Sequence, residues 1–151
     1  MSATLGTLAS AIVVTANPET TAARAAQLMR EHHVGSLVVV DAAASDGKAV
    51  GIVTDRDLVL AVMAEGLDPA LFTVGDIMST ELVTAPASAG LIDATRLLHQ
   101  HRVRRLIVVD GAGRVVGIAA LEDILEALTR EFSELVFALR GARDREIKER
   151  R

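Results

Sequence analysis

The chain repeats itself at a fixed interval, and that interval limits the folds open to it. LGTLAS at 5–10 aligns with VGDIMS at 74–79, a shift of 69 residues, and the register runs on without a gap. It matches Val14-Thr15-Ala16 to Val83-Thr84-Ala85, Ala25 to Ala94, Leu28 to Leu97, His32 to His101, and Val39-Val40-Asp41 to Val108-Val109-Asp110. The first copy then carries three extra residues in the polar loop AAASDGKAV, and the register resumes at Gly51 and Gly117. Two units in a chain of 151 residues each bury too little surface to be comfortable alone. Pairing of the copies about a pseudo-twofold axis is therefore expected.

Each unit reads as β-α-β-β-α. A short apolar run (Ile12 to Thr15; Leu82 to Thr84) predicts a strand. A helical stretch follows, with Ala22, Ala25, Ala26 and Met29 on one face of the first copy and Leu91, Ala94 and Leu98 on that of the second. LVVVD and AVGIV, then LIVVD and RVVGIA, are β-branched pairs joined by turn residues. Their consecutive apolar positions require cover on both faces of each sheet. A closing helix is expected over Asp55 to Ala64 and from Leu121 onward, with Gly66 and Pro69 ending the first. The predicted class is α/β (α+β): two βαββα units, small mixed sheets flanked by helices, over residues 1–68 and 69–130. Residues 131–151 form a helical extension and charged tail. Ile124, Leu128, Phe132, Leu135 and Leu139 recur at spacings of three and four as far as Gly141, before ARDREIKERR. An amphipathic helix packing on its own domain with a solvated end is expected, a dimer contact being the alternative.

The closing helices start at GIVTDRD (51–57) and GIAALED (117–123). Thr54 falls at a helix N-cap and Asp57 three residues on, the spacing of a capping box. The same geometry also offers free N–H groups and a positive dipole end to an anion, beside a hydroxyl and a carboxylate able to hold vicinal hydroxyls. The second copy has Ala120 for the hydroxyl yet keeps Asp123, which weighs against capping as the aspartate's sole role.

Two units in this order, each closing on glycine, a hydrophobic residue, a variable residue, commonly Thr or Ser, two more and Asp, resemble the tandem CBS domain family, the Bateman module. The resemblance covers roughly residues 5–130, including VGDIMSTELVTAPAS and VRRLIVVDGAGRVVGIAALEDILEAL. It implies a regulatory module that binds an adenosine-containing ligand in two clefts between the units: an adenine nucleotide (AMP, ADP or ATP), or alternatively S-adenosylmethionine or NAD(H). Carried onto this chain, the first and preferred cleft uses Thr7, Ile12, Val34, Ser36, Thr54 and Asp57, with Arg104 and Arg105 meeting phosphate. The second and weaker cleft uses Asp76, Glu81, Val103, Ala120 and Asp123. Where the second unit has Arg104 and Arg105 the first has Gly35 and Ser36, so one good site is expected. The resemblance further implies a homodimer and a separate regulated protein. The rival expectation is a structural or interaction module of the same fold whose clefts bind nothing.

Composition narrows the rest. A net charge of -4 with no basic stripe argues against nucleic acid. The absence of cysteine excludes disulfides, thiol nucleophiles and thiolate metal sites. His32 and His33 are adjacent on a helix and diverge, so no metal site is expected. There is no G-x-S-x-G elbow and no G-x-x-x-x-G-K-[ST] loop, so neither catalysis nor a catalytic cofactor is expected. No apolar run reaches membrane-spanning length, and MSATLGTLAS lacks the features of a signal peptide. A cytoplasmic, non-enzymatic protein is the expectation. With no Trp or Tyr and only three Phe, a planar ligand would be gripped by aliphatic side chains and backbone.

Overall fold

The computed structural model describes residues 3–9, 13–44 and 46–149. Two three-stranded mixed sheets carry the fold, ordered β1-β2-β3 and β4-β5-β6. In the first unit β1 (Thr15–Ala16) runs parallel to β2 (Ser36–Val40), which pairs antiparallel with β3 (Ala49–Thr54). The second unit repeats this with β4 (Thr84–Pro86), β5 (Arg105–Val109) and β6 (Val115–Ala120). Even the irregularity is duplicated, the antiparallel register slipping between Val39 and Val40 and again between Val108 and Val109. The short first strands begin later than the apolar runs suggest, at Thr15 and Thr84.

α2 (Ala22–His32) and α5 (Leu91–His101) bury one face each: Ala22, Ala25 and Met29 in the first, and Leu91, Ala94 and Leu98 in the second. Ala26 instead stays exposed. Both helices end on a non-glycine residue in the left-handed region, His33 at φ 54 and Arg102 at φ 53. β2 and β5 form the floor of the two cores, with Leu37, Val38, Val39, Leu106 and Val108 fully buried.

The short helices that open the repeats cross over. α1 (Leu5–Leu8) packs on β4, β6 and the final helix of the second unit, and Leu5 belongs to that unit's core. α4 (Val74–Ile77) packs on β3, and Val74 lies in the first unit's core. Each such fully buried side chain contributes about 1.5–3 kcal/mol. The exchange is reciprocal atom by atom. The Leu5 N–H donates to Ala89 O at 2.9 Å and the Val74 N–H to Thr20 O at 2.7 Å; Gly6 N donates to Ala87 O and Gly75 N to Pro18 O, both at 2.8 Å. Every partner pair is related by the 69-residue shift, as an isologous interface requires. Glycine eases both contacts, because a Cβ would stand a tight 3.0 Å from Ala87 O at Gly6 and 3.1 Å from Pro18 O at Gly75.

The closing helices differ from expectation in two ways. The first is α-helical only over α3 (Asp55–Leu58) and continues as a π turn over Val59–Met63, where the Ala64 N–H reaches back to Val59 O. The second, α6 (Leu121–Glu149), is one unbroken helix of 29 residues that passes through Gly141 and takes in the charged tail. Nor does its extension pack on its own domain: Ile124 and Ala127 are buried and Leu128 partly so, but every residue from 131 to 149 is exposed. The module ends one turn after Ala127, and the helix runs on past it.

Candidate functional site

The end of β3 meets the entry to the second unit. Ile52 exchanges backbone hydrogen bonds with Ser79, at 3.0 and 2.9 Å, which sets Ser79 against the free edge of the first sheet. Gly51 permits this approach, since a Cβ there would overlap Met78 Sδ and come within 3.1 Å of Ser79 O. Between this edge and the start of β5 lies a cleft of about 180 Å³ lined by Ile52, Thr54, Glu81, Val103, Arg104 and Arg105, together with Ser79, Leu82, Val83 and Ile107. Pockets that enclose a whole organic ligand usually measure about 300–1,000 Å³. This cleft has room for only one end of such a molecule.

The crossing of the opening segments regroups the residues singled out in the sequence. Thr54, Arg104 and Arg105 do line one cleft. Glu81 and Val103, grouped in the sequence reading with the other cleft, line this one too. Thr7 sits on α1 against the second unit, while its repeat equivalent Asp76 sits on α4 beside β3. Ser36 is buried directly across the ladder from Thr54, and Val34 packs against the first core. Ile12 lies outside the described residues. In the second unit Arg105 is the ladder partner of Ala120, so the two arginines stand between the motif ends of both units. Ile52, Ser79, Leu82, Val83 and Ile107 were not anticipated. Ile52 and Ser79 meet through their bridge, a long-range pairing with no signature in either local stretch, while Val83 and Ile107 are paired within the second unit.

Thr54 and Asp57 form a complete capping box: Thr54 Oγ1 accepts from the Asp57 N–H at 3.2 Å, and Asp57 Oδ2 accepts from the Thr54 N–H at 2.8 Å. In the second unit Asp123 Oδ2 accepts from the Ala120 N–H at 2.9 Å. Losing the hydroxyl thus does not deprive Asp123 of a capping role, contrary to the argument from Ala120, because the donor is a backbone amide that any residue supplies. α4 opens on a related arrangement, the Thr73 N–H donating to Asp76 Oδ2 at 2.9 Å. In α1 the Thr4 N–H donates to Thr7 Oγ1 at 3.2 Å. Each capping carboxylate has a second oxygen, and a carboxylate offers about four acceptor positions, so capping leaves Asp57 able to accept from a ligand.

The charges at the cleft are not idle. The Arg104 guanidinium donates to the Glu122 carboxylate in the first turn of α6. The backbone N–H of Glu122 and the Arg104 guanidinium hold that carboxyl below the ordinary glutamate range. A phosphate at this position has to share Arg104 with Glu122. Among the described residues no ion pair engages Arg105.

A larger cavity lies elsewhere. A groove of about 600 Å³ runs along the first unit's helical face, lined by Ala22, Ala26, Met29, Leu58, Val62 and Met63 among others, with Asp55 the one charged side chain. Such a lining suits a packing partner rather than a phosphate. Among the described residues no cluster of three or more His, Asp or Glu side chains forms a metal site, and no helix is long and apolar enough to cross a membrane.

Reciprocal pairing of two βαββα units, with a cleft at the motif end, defines a paired-module architecture. The CBS domain model matches residues 5–64 and 74–130. The chain belongs to the CBS domain family, of which it carries two copies. It is 42% identical over 112 residues to the CBS domain-containing protein YhcV of Bacillus subtilis, covering 74% of this chain and 76% of that one. An uncharacterized protein of Methanopyrus kandleri is 36% identical over 125 residues; these cover 83% of this chain but only 62% of that longer protein. Among solved structures, the CBS domain pair of protein MJ0100, in complex with 5′-methylthioadenosine and S-adenosyl-L-methionine, superposes with a TM-score of 0.74 at 26% identity, covering 87% of this chain and 99% of that one. Hypoxic response protein I, solved with two coordinated zinc ions, superposes at 0.70 with 32% identity, over 82% and 98% of the two chains.

Proposed function

We propose that the chain is a regulatory ligand sensor that binds an adenosine-containing molecule, most simply AMP, ADP or ATP, at the cleft around Thr54. The observation that carries this is the meeting of Thr54, Arg104 and Arg105 in one cleft. Two guanidinium groups beside a hydroxyl and a helix start suit a phosphate, and the spare Asp57 oxygen suits a ribose hydroxyl. The adenosine compounds bound by the MJ0100 pair support the ligand class. A second site at the Ala120 end would lack the hydroxyl, and the repeat-equivalent positions Gly35 and Ser36 are uncharged, so it would be the weaker one. The signal passes to a separate regulated protein. A homodimer fits the exposed apolar side chains of the helical faces, among them Val59, Met63, Ile92 and Leu125.

Glu81 favours a second reading. A carboxylate among the arginines suits a ligand carrying positive charge, as S-adenosylmethionine does. The complete Thr54–Asp57 box favours a third, a ligand-free module in which the motif only caps a helix. Thermal melting with AMP, ADP, ATP, NAD(H) and S-adenosylmethionine separates them. Stabilisation by the nucleotides is expected; stabilisation by S-adenosylmethionine alone selects the second reading, and no shift with any of them selects the third.

A further inference from the structure

α6 carries a second apolar stripe of which the module uses only Leu128. Leu121, Leu125, Leu128, Phe132, Leu135, Leu139 and Ala142 recur at alternating spacings of four and three, a strict 3.5-residue repeat. That period keeps a seam on one side of two supercoiled helices, whereas Ile124 and Ala127 face the helix's own core. Beyond Leu128 the seam is bare: Phe132 is 66% exposed, Leu135 61% and Leu139 72%. Its next two positions are Glu146 and Glu149, so the apolar stretch stops at Ala142.

The flanking charges decide what covers it. Glu131 and Glu134 lie in the first half of the extension, and Arg140, Arg143 and Arg145, with Asp144 between the last two, in the second. In a parallel pair the flanking positions set Glu131 against Val136 and Ala138 against Arg143, with no opposite charges meeting. In an antiparallel pair with Leu135 layered on the partner's Leu139, Glu131 faces the partner's Arg145 twice by symmetry. The small residues Val136 and Ala138 then fall at the crossing point, each against its own copy. Glu131 has no ion pair among the described residues, and Arg145 reaches the exposed Glu149 only at 3.9 Å. The apolar layers end at Ala142, opposite Phe132, and beyond them Glu146 and Glu149 fall opposite the second copy's Leu128 and the exposed Leu125.

We propose that two copies of this chain associate through an antiparallel pairing of α6 over Phe132–Ala142, held in register by reciprocal Glu131–Arg145 pairs. The inference gives the homodimer reading a specific surface, and rests on it only in requiring a second copy.

Sedimentation equilibrium on the full chain tests it. Glu131→Arg and Arg145→Glu each weaken association by roughly tenfold, and the double exchange restores most of it. Leu135→Glu with Leu139→Glu abolishes it. With no native cysteine, a spin label on Lys148→Cys reads the direction: about 35 Å between labels for antiparallel helices, from a 1.5 Å rise per residue, against under about 20 Å for parallel ones. A dimer indifferent to all four substitutions, or a short label distance, overturns the antiparallel pairing while leaving the homodimer. An unmodified chain that stays monomeric at high concentration overturns both.

Discussion

Replacing Asp57 or Asp123 by alanine should weaken the fold equally and ligand binding unequally. In the ligand-free chain each carboxylate accepts one backbone N–H at its helix start, at 2.8 Å from Thr54 and 2.9 Å from Ala120. Losing such a capping bond costs about 1 kcal/mol, or roughly 2–4 °C in Tm for a chain of this size. Asp57→Ala and Asp123→Ala should therefore melt within a degree or so of each other. The difference appears with nucleotide present. At about 100 times its Kd a ligand stabilises the parent chain by about 2.7 kcal/mol. Hydrogen bonds to a charged group are worth about 1.5–3 kcal/mol, so losing those of Asp57 raises Kd by one to two orders of magnitude. At the same ligand concentration the stabilisation of Asp57→Ala falls to as little as about 0.4 kcal/mol, while Asp123→Ala keeps nearly all of its shift. Circular dichroism melts of the three chains with and without ATP suffice. Equal loss of the ligand shift in both variants refutes the unequal-cleft argument; a much larger ligand-free loss in one refutes the equal-cap argument.

Other perturbations follow from single contacts. Glu122→Gln weakens the hold on Arg104 and should tighten binding of phosphate-bearing ligands severalfold, measured by calorimetry, with little effect on adenosine itself. Because the folded pKa of Glu122 is depressed, its ion pair persists above the ordinary glutamate value and is lost only as pH falls through the lower folded value; carboxyl NMR titration should place its midpoint below that of an ordinary glutamate. Gly51→Ala drives a Cβ into Met78 Sδ and Ser79 O and should cost about 1–3 kcal/mol, with loss of amide protection at Ile52 and Ser79 in hydrogen exchange. His33→Gly and Arg102→Gly relieve left-handed backbone at φ 54 and 53 and should each stabilise the chain by up to about 1 kcal/mol.

The duplication made the fold readable. It predicted two βαββα units and their pairing, and periodicity located the buried faces of α2 and α5 apart from Ala26. What it could not convey is which unit a segment packs on. The shift pairs Leu5 with Val74 as equivalents, and both cross to the opposite core. That crossing carries Thr7 to the second unit and brings the chain entering the second unit, with Glu81, to the cleft at Thr54. Gly141 is an ordinary stop signal, yet its cost of about 1 kcal/mol is offset by good helix formers on both sides, and α6 continues to Glu149. In the motif, the spacing of Thr54 and Asp57 gave the box correctly. The Asp123 cap escaped notice because its donor is main chain, invisible in a comparison of side chains.

Equilibrium dialysis against AMP, ADP and ATP, read in the adenine absorption band, tests the sensor most directly, since a chain without Trp or Tyr adds almost nothing to the signal. One tight equivalent per chain, weakened by Arg104→Ala with Arg105→Ala, is the predicted result. No uptake of any of the three, or two equivalents of equal affinity, would contradict it.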